Sequence, residues 1–393
     1  MSARAHAIAF VVPLLATLFA LWVLHTWSTE SFPWLARRKR AMVLALAGLV
    51  VVDRLTDFVV VHFHDATAGL LHAGLVLVMA TLILSAAPVA LLRAASRAIE
   101  RRSKRPALED ESPARTMTRR EVVEGAGGAA IFGATGSMLG WGMLRGRHAF
   151  ELVEVPLRIP GLPRALDGYV IAQVSDLHSG AFVGERELDE GLSLVARARP
   201  DLVVVTGDIV DFDPVHAPLA ARKLADLSAR DGVSAILGNH DYYAGADEVM
   251  GALRAAGIDV LRNAGKVVRA GDGGGFALLG VDDVSSLRRG RTGPRLDLAL
   301  AGVRPELPRI LLSHQPVTVD LWPGQIAAQL SGHTHGGQIN PGFSPLGLIM
   351  KYIAGSYAVG GTTLYVNRGF GTVGAPSRIG APPEVTRFVL VAA

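Results

Sequence analysis

Apolar residues change their spacing along this chain at about residue 150. Before that point they form long blocks: 7–24, 41–61 and 68–92 are almost continuously apolar. A helix needs about 20 such residues to cross the hydrocarbon of a bilayer. Asp53, Arg54 and Asp57 interrupt the second block. Charge at mid-membrane is costly unless paired or hydrated, so either these side chains face neighbouring helices or the span ends near Val52. Three spans are expected within 1–100. After residue 150, short β-branched runs alternate with helix-like segments. Residues 170–174, 202–205, 234–237, 276–279, 310–312, 329–331 and 364–366 read as strands, and 185–198, 217–228 and 247–256 have helical period. This alternation implies an α/β domain over 149–393.

Composition sharpens the division. Half of the 393 residues are apolar, which is high for a chain with no embedded segment. The net charge of +4 conceals an asymmetry. Residues 1–150 hold 17 Lys and Arg against 10 Asp and Glu, a balance of +7; residues 151–393 hold 22 against 25, a balance of −3. A polyanion binder carries its positive surface on the domain that grips phosphates, so no nucleic-acid partner is expected. There is no cysteine, which excludes disulfides and thiolate-ligated metal.

Basic clusters orient the spans. Arg37, Arg38, Lys39 and Arg40 follow the first; Arg93, Arg97, Arg101, Arg102, Lys104 and Arg105 follow the third. Positive residues favour the cytoplasmic side, so the stretch 101–117 reads as a cytoplasmic linker. Arg119-Arg120 then precede a Gly/Ala-rich, mildly apolar run, 125–144. Segment 118–148 resembles a twin-arginine export signal, although Val122 and Glu124 stand where an aromatic and a lysine are usual. The alternative is an ordinary fourth transmembrane helix. Both readings put the domain after it on the extracytoplasmic side of the membrane. His62, His64, Asp65 and His72 gather at the expected outer ends of the second and third spans. Interfacial histidines commonly bind nothing, and these stay outside the site.

The chemistry lies just past five strands: Asp176-Leu177-His178, Gly207-Asp208-Ile209-Val210-Asp211, Gly238-Asn239-His240-Asp241, His314, and Gly332-His333-Thr334-His335. Carboxyl ends of strands are where α/β proteins build clefts. Imidazole with carboxylate, and no sulfur, suits a pair of divalent Mn, Fe or Zn ions. An Asp-x-His at a strand end sends both side chains the same way, because side chains repeat every second residue. The glycines before Asp208, Asn239 and His333 permit tight turns and close approach. Each motif alone is common; all five in order form a strong signal.

In this order the motifs resemble the signature of the calcineurin-like metallophosphoesterases, over about 170–391. The resemblance implies a four-layer αββα sandwich and a metal-dependent hydrolase of phosphate esters. It implies that Asp176, His178 and His335 hold one metal, that Asn239, His314 and His333 hold the second, and that Asp208 bridges. His240 would stabilise phosphoryl oxygens or protonate the leaving group, with Asp241 placed to orient it. Asp211 is expected to partner the second ring nitrogen of a metal-site histidine. Gly336-Gly337-Gln338-Ile339, Arg368-Gly369-Phe370-Gly371 and Pro383-Glu384 resemble a membrane-associated bacterial branch that includes lipid-linked pyrophosphatases. That branch implies a multi-pass protein of the bacterial cell membrane. The expected activity is hydrolysis of phosphodiester or pyrophosphate bonds in a lipid-linked or cell-envelope substrate. A phosphoprotein or nucleotide phosphatase, or an inactive sensor or scaffold, is the alternative. Arg368 is a candidate phosphate contact, with a structural ion pair as the other reading. Residues 343–357 are apolar for a loop beside such a site: a packed cap, or a surface that meets lipid.

Overall fold

The computed structural model describes the chain apart from residues 1–2, 33–36, 39, 42, 46, 49–50, 53–65, 103–116, 272–273 and 343–344. It divides into Met1–Trp141 and Gly142–Ala393.

The first unit is built on helices Ala3–Ser31, Ala66–Arg102 and Arg119–Leu144. The expected first and third spans fall inside the first two. Residues 53–61 of the expected second span, His62, His64 and Asp65, and residues 103–116 of the linker lie outside the described residues. Among the described residues, Leu71–Arg102 and Arg119–His148 are long and apolar enough to cross a bilayer.

The Gly/Ala-rich run serves close packing. A Cβ on Gly128 would stand 2.1 Å from Trp27 Nε1, and one on Gly127 would stand 2.7 Å from Leu92 Cδ2. Small residues at such points let helix backbones approach. Trp27 Nε1 donates to the Glu124 carbonyl at 2.7 Å. The Glu124 carboxylate, buried, accepts from Ser96 at 2.6 Å and lies 3.5 Å from Arg93, which also reaches Glu30 at 2.6 Å. Arg120 pairs with Glu100 at 2.7 Å. Thr118 and Glu121 exchange hydrogen bonds as a capping box at the start of this helix. The arginine pair therefore opens a capped helix whose second arginine is engaged by carboxylates.

The second unit is two packed six-stranded sheets. One has the order β1 (Glu151–Ile159), β12 (Glu384–Ala392), β2 (Val170–Val174), β3 (Leu202–Thr206), β4 (Val233–Ile236), β5 (Asp259–Val260). The other has the order β10 (Gly355–Val359), β11 (Thr362–Val366), β9 (Ala328–Ser331), β8 (Arg309–Leu312), β7 (Gly274–Gly280), β6 (Ala264–Gly271). Strand alternation divides the core. Ile171, Leu202, Val204 and Ile236 face inward onto Phe276, Leu278, Ile310, Leu312 and Leu330. Ala172, Val174, Val203 and Val205 face outward onto helices Glu185–Ala198, Ala217–Ala225 and Ala246–Ala255. Ala277, Leu279 and Leu311 are covered by the short helix Leu296–Ala299. The expected αββα layering is present, with a thin fourth layer.

All seven expected strands and three expected helices are present, with ends shifted by at most three residues. Strands β1, β5, β6, β10 and β12 add to them. Pro156 disguised β1, yet an edge strand tolerates a proline, and β1 is an edge. Strands β2, β3 and β4 run parallel, as do β7, β8 and β9. The carboxyl ends of β2, β3, β4, β8 and β9 carry the five motifs with Asp, His and Asn.

Candidate metal centre

Beyond the last strand residues the loops continue to pair. Asp176 N–H donates to Gly207 O at 2.9 Å, His178 N–H to Asp208 O at 3.0 Å, and Gly332 N–H to His314 O at 3.1 Å. The backbone in these loops is unusual. Asp176, His178, Asp208, His333 and His335 all have positive φ, between 48° and 75°. The Asp-x-His and His-x-His pairs thus converge through left-handed backbone and not through continued strand alternation, which corrects the geometric reason given above. Each such residue costs about 1 kcal/mol or more, and strain of this kind collects at functional sites.

Three glycines let the loops close. A Cβ on Gly332 would stand 1.9 Å from Ser175 Oγ and 2.2 Å from Asp176 Oδ2; one on Gly238 would stand 2.2 Å from Asp208 Oδ1. Gly207 has φ +91° and touches the Gly238 backbone. Below the loops, Gln173 Nε2 donates to Thr206 Oγ1 at 2.8 Å and to Ser331 O at 3.0 Å, tying the two sheets together.

The side chains meet in a continuous chain of contacts. His335 Nε2 lies 3.4 Å from Asp176 Oδ1 and 3.1 Å from His178 Nε2. Asp208 Oδ2 lies 3.7 Å from His178 Nε2 and 3.1 Å from His314 Nε2. His314 Nε2 lies 3.1 Å from Asn239 Oδ1, and the His333 ring is 5.1 Å from that of His314. All but His333 are buried, with the three aspartates Asp176, Asp208 and Asp241 at most 1% exposed. Among the described residues three triads have the mutual spacing of metal ligands: Asp176, His178 and His335; His178, Asp208 and His240; and Asp208, His314 and His333.

The electrostatics fit cations. Burial opposes charge on His314, but contact with Asp208 outweighs it and raises this imidazole well above its ordinary value. His335 is pushed well below its ordinary value by burial, by His178 and by Arg378, so its ring is neutral, as a ligand must be. Oxygen and imidazole nitrogen without sulfur suit Mn, Fe or Zn.

The expected site residues otherwise fall into three groups. His240 stands at the edge of the cluster, its ring 4.6 Å from that of His178. Its Nδ1 lies 2.9 Å from Asp211 O and 3.2 Å from Asp211 Oδ1. Burial disfavours the charged ring, but Asp211 and Asp208 prevail and raise it to about 9. Asp211 also reaches His178 Nδ1 at 3.5 Å. Asp241 does not perform the orienting expected of it. Its carboxylate accepts from the backbone N–H groups of Ile209 at 2.8 Å, Val210 at 3.2 Å and Gly238 at 2.8 Å. It therefore fixes the loop that carries Asp208, and Asp211 holds His240. Asp241 is the third residue of the helix Asn239–Ala244, and its side chain turns back onto the N–H of the cap residue Gly238.

For Arg368 the structure matches the ion-pair alternative. Its Nε donates to Glu384 at 2.6 Å and its Nη2 to Glu151 at 2.8 Å. Those glutamates are register partners on β12 and β1, so the guanidinium clips two strands through its Nε and Nη2. The arginine that reaches the site is Arg378, which the sequence reading missed. It is 1% exposed, donates to the carbonyls of Gly371, Arg368 and Ala381, and places Nη2 3.1 Å from His335 Nδ1. The described part of the apolar stretch, 345–357, divides between both readings; residues 343–344 lie outside the described residues. Tyr352 and Tyr357 pack edge to face at 5.1 Å, whereas Leu348 and Ile349 are 87% and 81% exposed.

Residues 169–337 match the family model described as calcineurin-like phosphoesterase. Over 286 residues the chain is 34% identical to "Uncharacterized metallophosphoesterase YkuE" of Bacillus subtilis, covering 70% of this chain and 98% of that protein. It is 34% identical over 259 residues to "Transmembrane protein with metallophosphoesterase domain" of Danio rerio, covering 64% of this chain and 59% of the fish protein. A Campylobacter jejuni metallophosphoesterase is 34% identical over 238 residues, covering 60% of this chain and 62% of its own. With this likeness spanning nearly all of the Bacillus protein, the chain belongs to the calcineurin-like metallophosphoesterases, hydrolases acting on phosphate esters.

Proposed function

We propose that this protein is a membrane-held dinuclear-metal phosphoesterase that cleaves phosphodiester or pyrophosphate bonds in a lipid-linked or cell-envelope substrate, outside the cytoplasm. Asp176, His178 and His335 would hold one cation; Asn239, His314 and His333 would hold the other. Asp208 would be shared. The observation that carries this reading is the place of one oxygen, Asp208 Oδ2, between His314 Nε2 at 3.1 Å and His178 Nε2 at 3.7 Å. Two divalent cations, when bound, supply Lewis acidity that lowers the pKa of water and neutralises phosphoryl charge.

The remaining chemistry belongs to the chain. Asp211 occupies Nδ1 of His240, so Nε2 is the atom left to face substrate. A ring protonated up to about pH 9 holds its proton through the neutral range and can give it to the departing oxygen. Bound cations would draw that value back toward neutrality, where proton transfer is most effective. His240→Ala is expected to lower kcat by about 10²- to 10⁴-fold while leaving metal content near two ions per chain. Parallel kinetics and elemental analysis read both; loss of the metals would move His240 into the ligand set.

The lipid side of the proposal rests on the exposed Leu348 and Ile349 in the loop after His335, on two helices apolar enough to span a bilayer, and on the acidic balance of residues 151–393. Full-length protein in detergent, assayed with Mn²⁺ against bis-p-nitrophenyl phosphate, nucleotides and lipid-linked pyrophosphates, tests it. Preference for the lipid-linked ester is expected. Turnover of no ester under any cation would favour the inactive scaffold.

Export by the twin-arginine route is a separate question. The capping box and the Arg120 ion pair favour an ordinary helix. The double change Arg119→Lys, Arg120→Lys is therefore expected to leave the catalytic unit exposed to protease in spheroplasts. Retention inside the cell would support the export signal.

A further inference from the structure

Around His240 lies a feature that metal chemistry does not require. Two aromatic rings pack against its imidazole: Phe212 with centroids 4.8 Å apart and Tyr243 with centroids 5.3 Å apart. The imidazole itself is 8% exposed, yet Phe212 is 52% exposed and Tyr243 41%. Each ring is rooted beside a residue of the centre. Phe212 follows Asp211, which holds His240, and Tyr243 lies one helical turn after Asn239. Both are thus anchored through the backbone beside the centre, while much of each aromatic surface stays open to solvent. Apolar surface gathered at the mouth of a polar site offers burial to an apolar group that enters it.

The mechanism says what would cover it. A general acid must come within about 2.6–3.2 Å of the oxygen it protonates. Since Asp211 takes Nδ1, the departing oxygen must approach Nε2. The group bonded to that oxygen then lies within a few ångströms of the rings that flank the imidazole. The Tyr243 hydroxyl is engaged by Asn239 and feels the Arg288 cation, so what the two rings leave for the departing group is their faces, which offer dispersion and water exclusion.

We propose that Phe212 and Tyr243 form a leaving-group subsite that selects substrates whose departing alcohol or phosphate carries an apolar face, aromatic or hydrocarbon, close to the scissile oxygen. This rests on the phosphoesterase reading above and extends it from reaction class to substrate class.

The subsite can be read without the complication of leaving-group acidity, by inhibition of bis-p-nitrophenyl phosphate hydrolysis with two non-hydrolysable phosphonates. Full-length Mn²⁺-loaded enzyme is expected to bind phenylphosphonate about tenfold or more tightly than methylphosphonate. In Phe212→Ala and Tyr243→Ala the gap is expected to shrink to about threefold or less, with the methylphosphonate constant unchanged. Phe212→Leu, still apolar, should restore part of the gap. Metal content and melting temperature, measured on each variant, identify any that has lost its fold, and the second aromatic position then carries the test. Equal affinity for the two phosphonates in the parent enzyme, or a gap that survives both alanine changes, overturns the subsite. A parent enzyme that hydrolyses no ester under any cation overturns the phosphoesterase reading instead, so the two failures are distinct.

Discussion

Asp208→Ala is expected to abolish esterase activity, by more than about 10³-fold in kcat/KM, and to remove the second cation along with the first. The size follows from what one carboxylate touches. Its Oδ2 faces His314 and His178, and its Oδ1 accepts the His240 N–H at 2.8 Å. Losing a single preorganised electrostatic contact to a transition state already costs about 10²–10³ in rate. Here the same change would remove the shared ligand, unseat the backbone of the proposed acid, and leave His314 without its counter-ion. Asp208→Asn keeps the shape and an oxygen, and should retain the fold with metal affinity much reduced. The reason is that a neutral amide cannot offset two dications. Activity with saturating Mn²⁺ and metal content after dialysis check both variants. Near-normal turnover in either would place the shared position elsewhere.

Gly332→Ala is expected to be nearly as damaging although it removes no functional group. The added methyl would sit 1.9 Å from Ser175 Oγ and 2.2 Å from Asp176 Oδ2, distances no packed atoms adopt. Something must move, and the neighbours are the β2 loop and a proposed ligand. Overpacking of this kind costs about 1–3 kcal/mol, which for a domain of this size lowers Tm by about 3–10 °C. The displacement matters more. A shift of about 1 Å in a catalytic group costs about 10² in rate, and the same shift drags His333, whose N–H is 3.0 Å from Asp176 Oδ1. Calorimetry and steady-state kinetics on the purified variant read the two effects separately. Activity within about threefold of the parent would mean that this loop yields without disturbing the centre.

The same glycine illustrates what the sequence makes legible. Motifs such as Gly332-His333-Thr334-His335 stand out because the chemistry demands particular side chains after particular strands. Strand periodicity located those strands to within a few residues. The manner of presentation was not legible. Positive φ at Asp176, His178, Asp208, His333 and His335 carries no compositional mark, since glycine is the usual sign of that conformation and these are not glycines. Secondary contacts were harder still. As text, Asp241 adjoins His240 while Asp211 stands 29 residues before it, and only the backbone path decides that the distant one reaches the ring while the adjacent one collects three N–H groups. Likewise Arg368 and Arg378 share one Gly/Pro-rich stretch. The register of β1 with β12 gives Arg368 two glutamates, and burial sends Arg378 to His335. Strands β1 and β12 are not among those the sequence predicts, yet they set that difference. In the first unit, Glu124, which departs from an export-signal pattern, is explained by Arg93 on a helix distant in sequence.

Everything proposed for this enzyme depends on side chains from five strand ends seating a pair of cations. Equilibrium dialysis of the purified, chelator-stripped protein against Mn²⁺, followed by elemental analysis, measures this directly. Two ions per chain are expected for the parent, with esterase activity returning as they bind. A chain that remains free of metal, or that saturates at one ion and is fully active, contradicts the account.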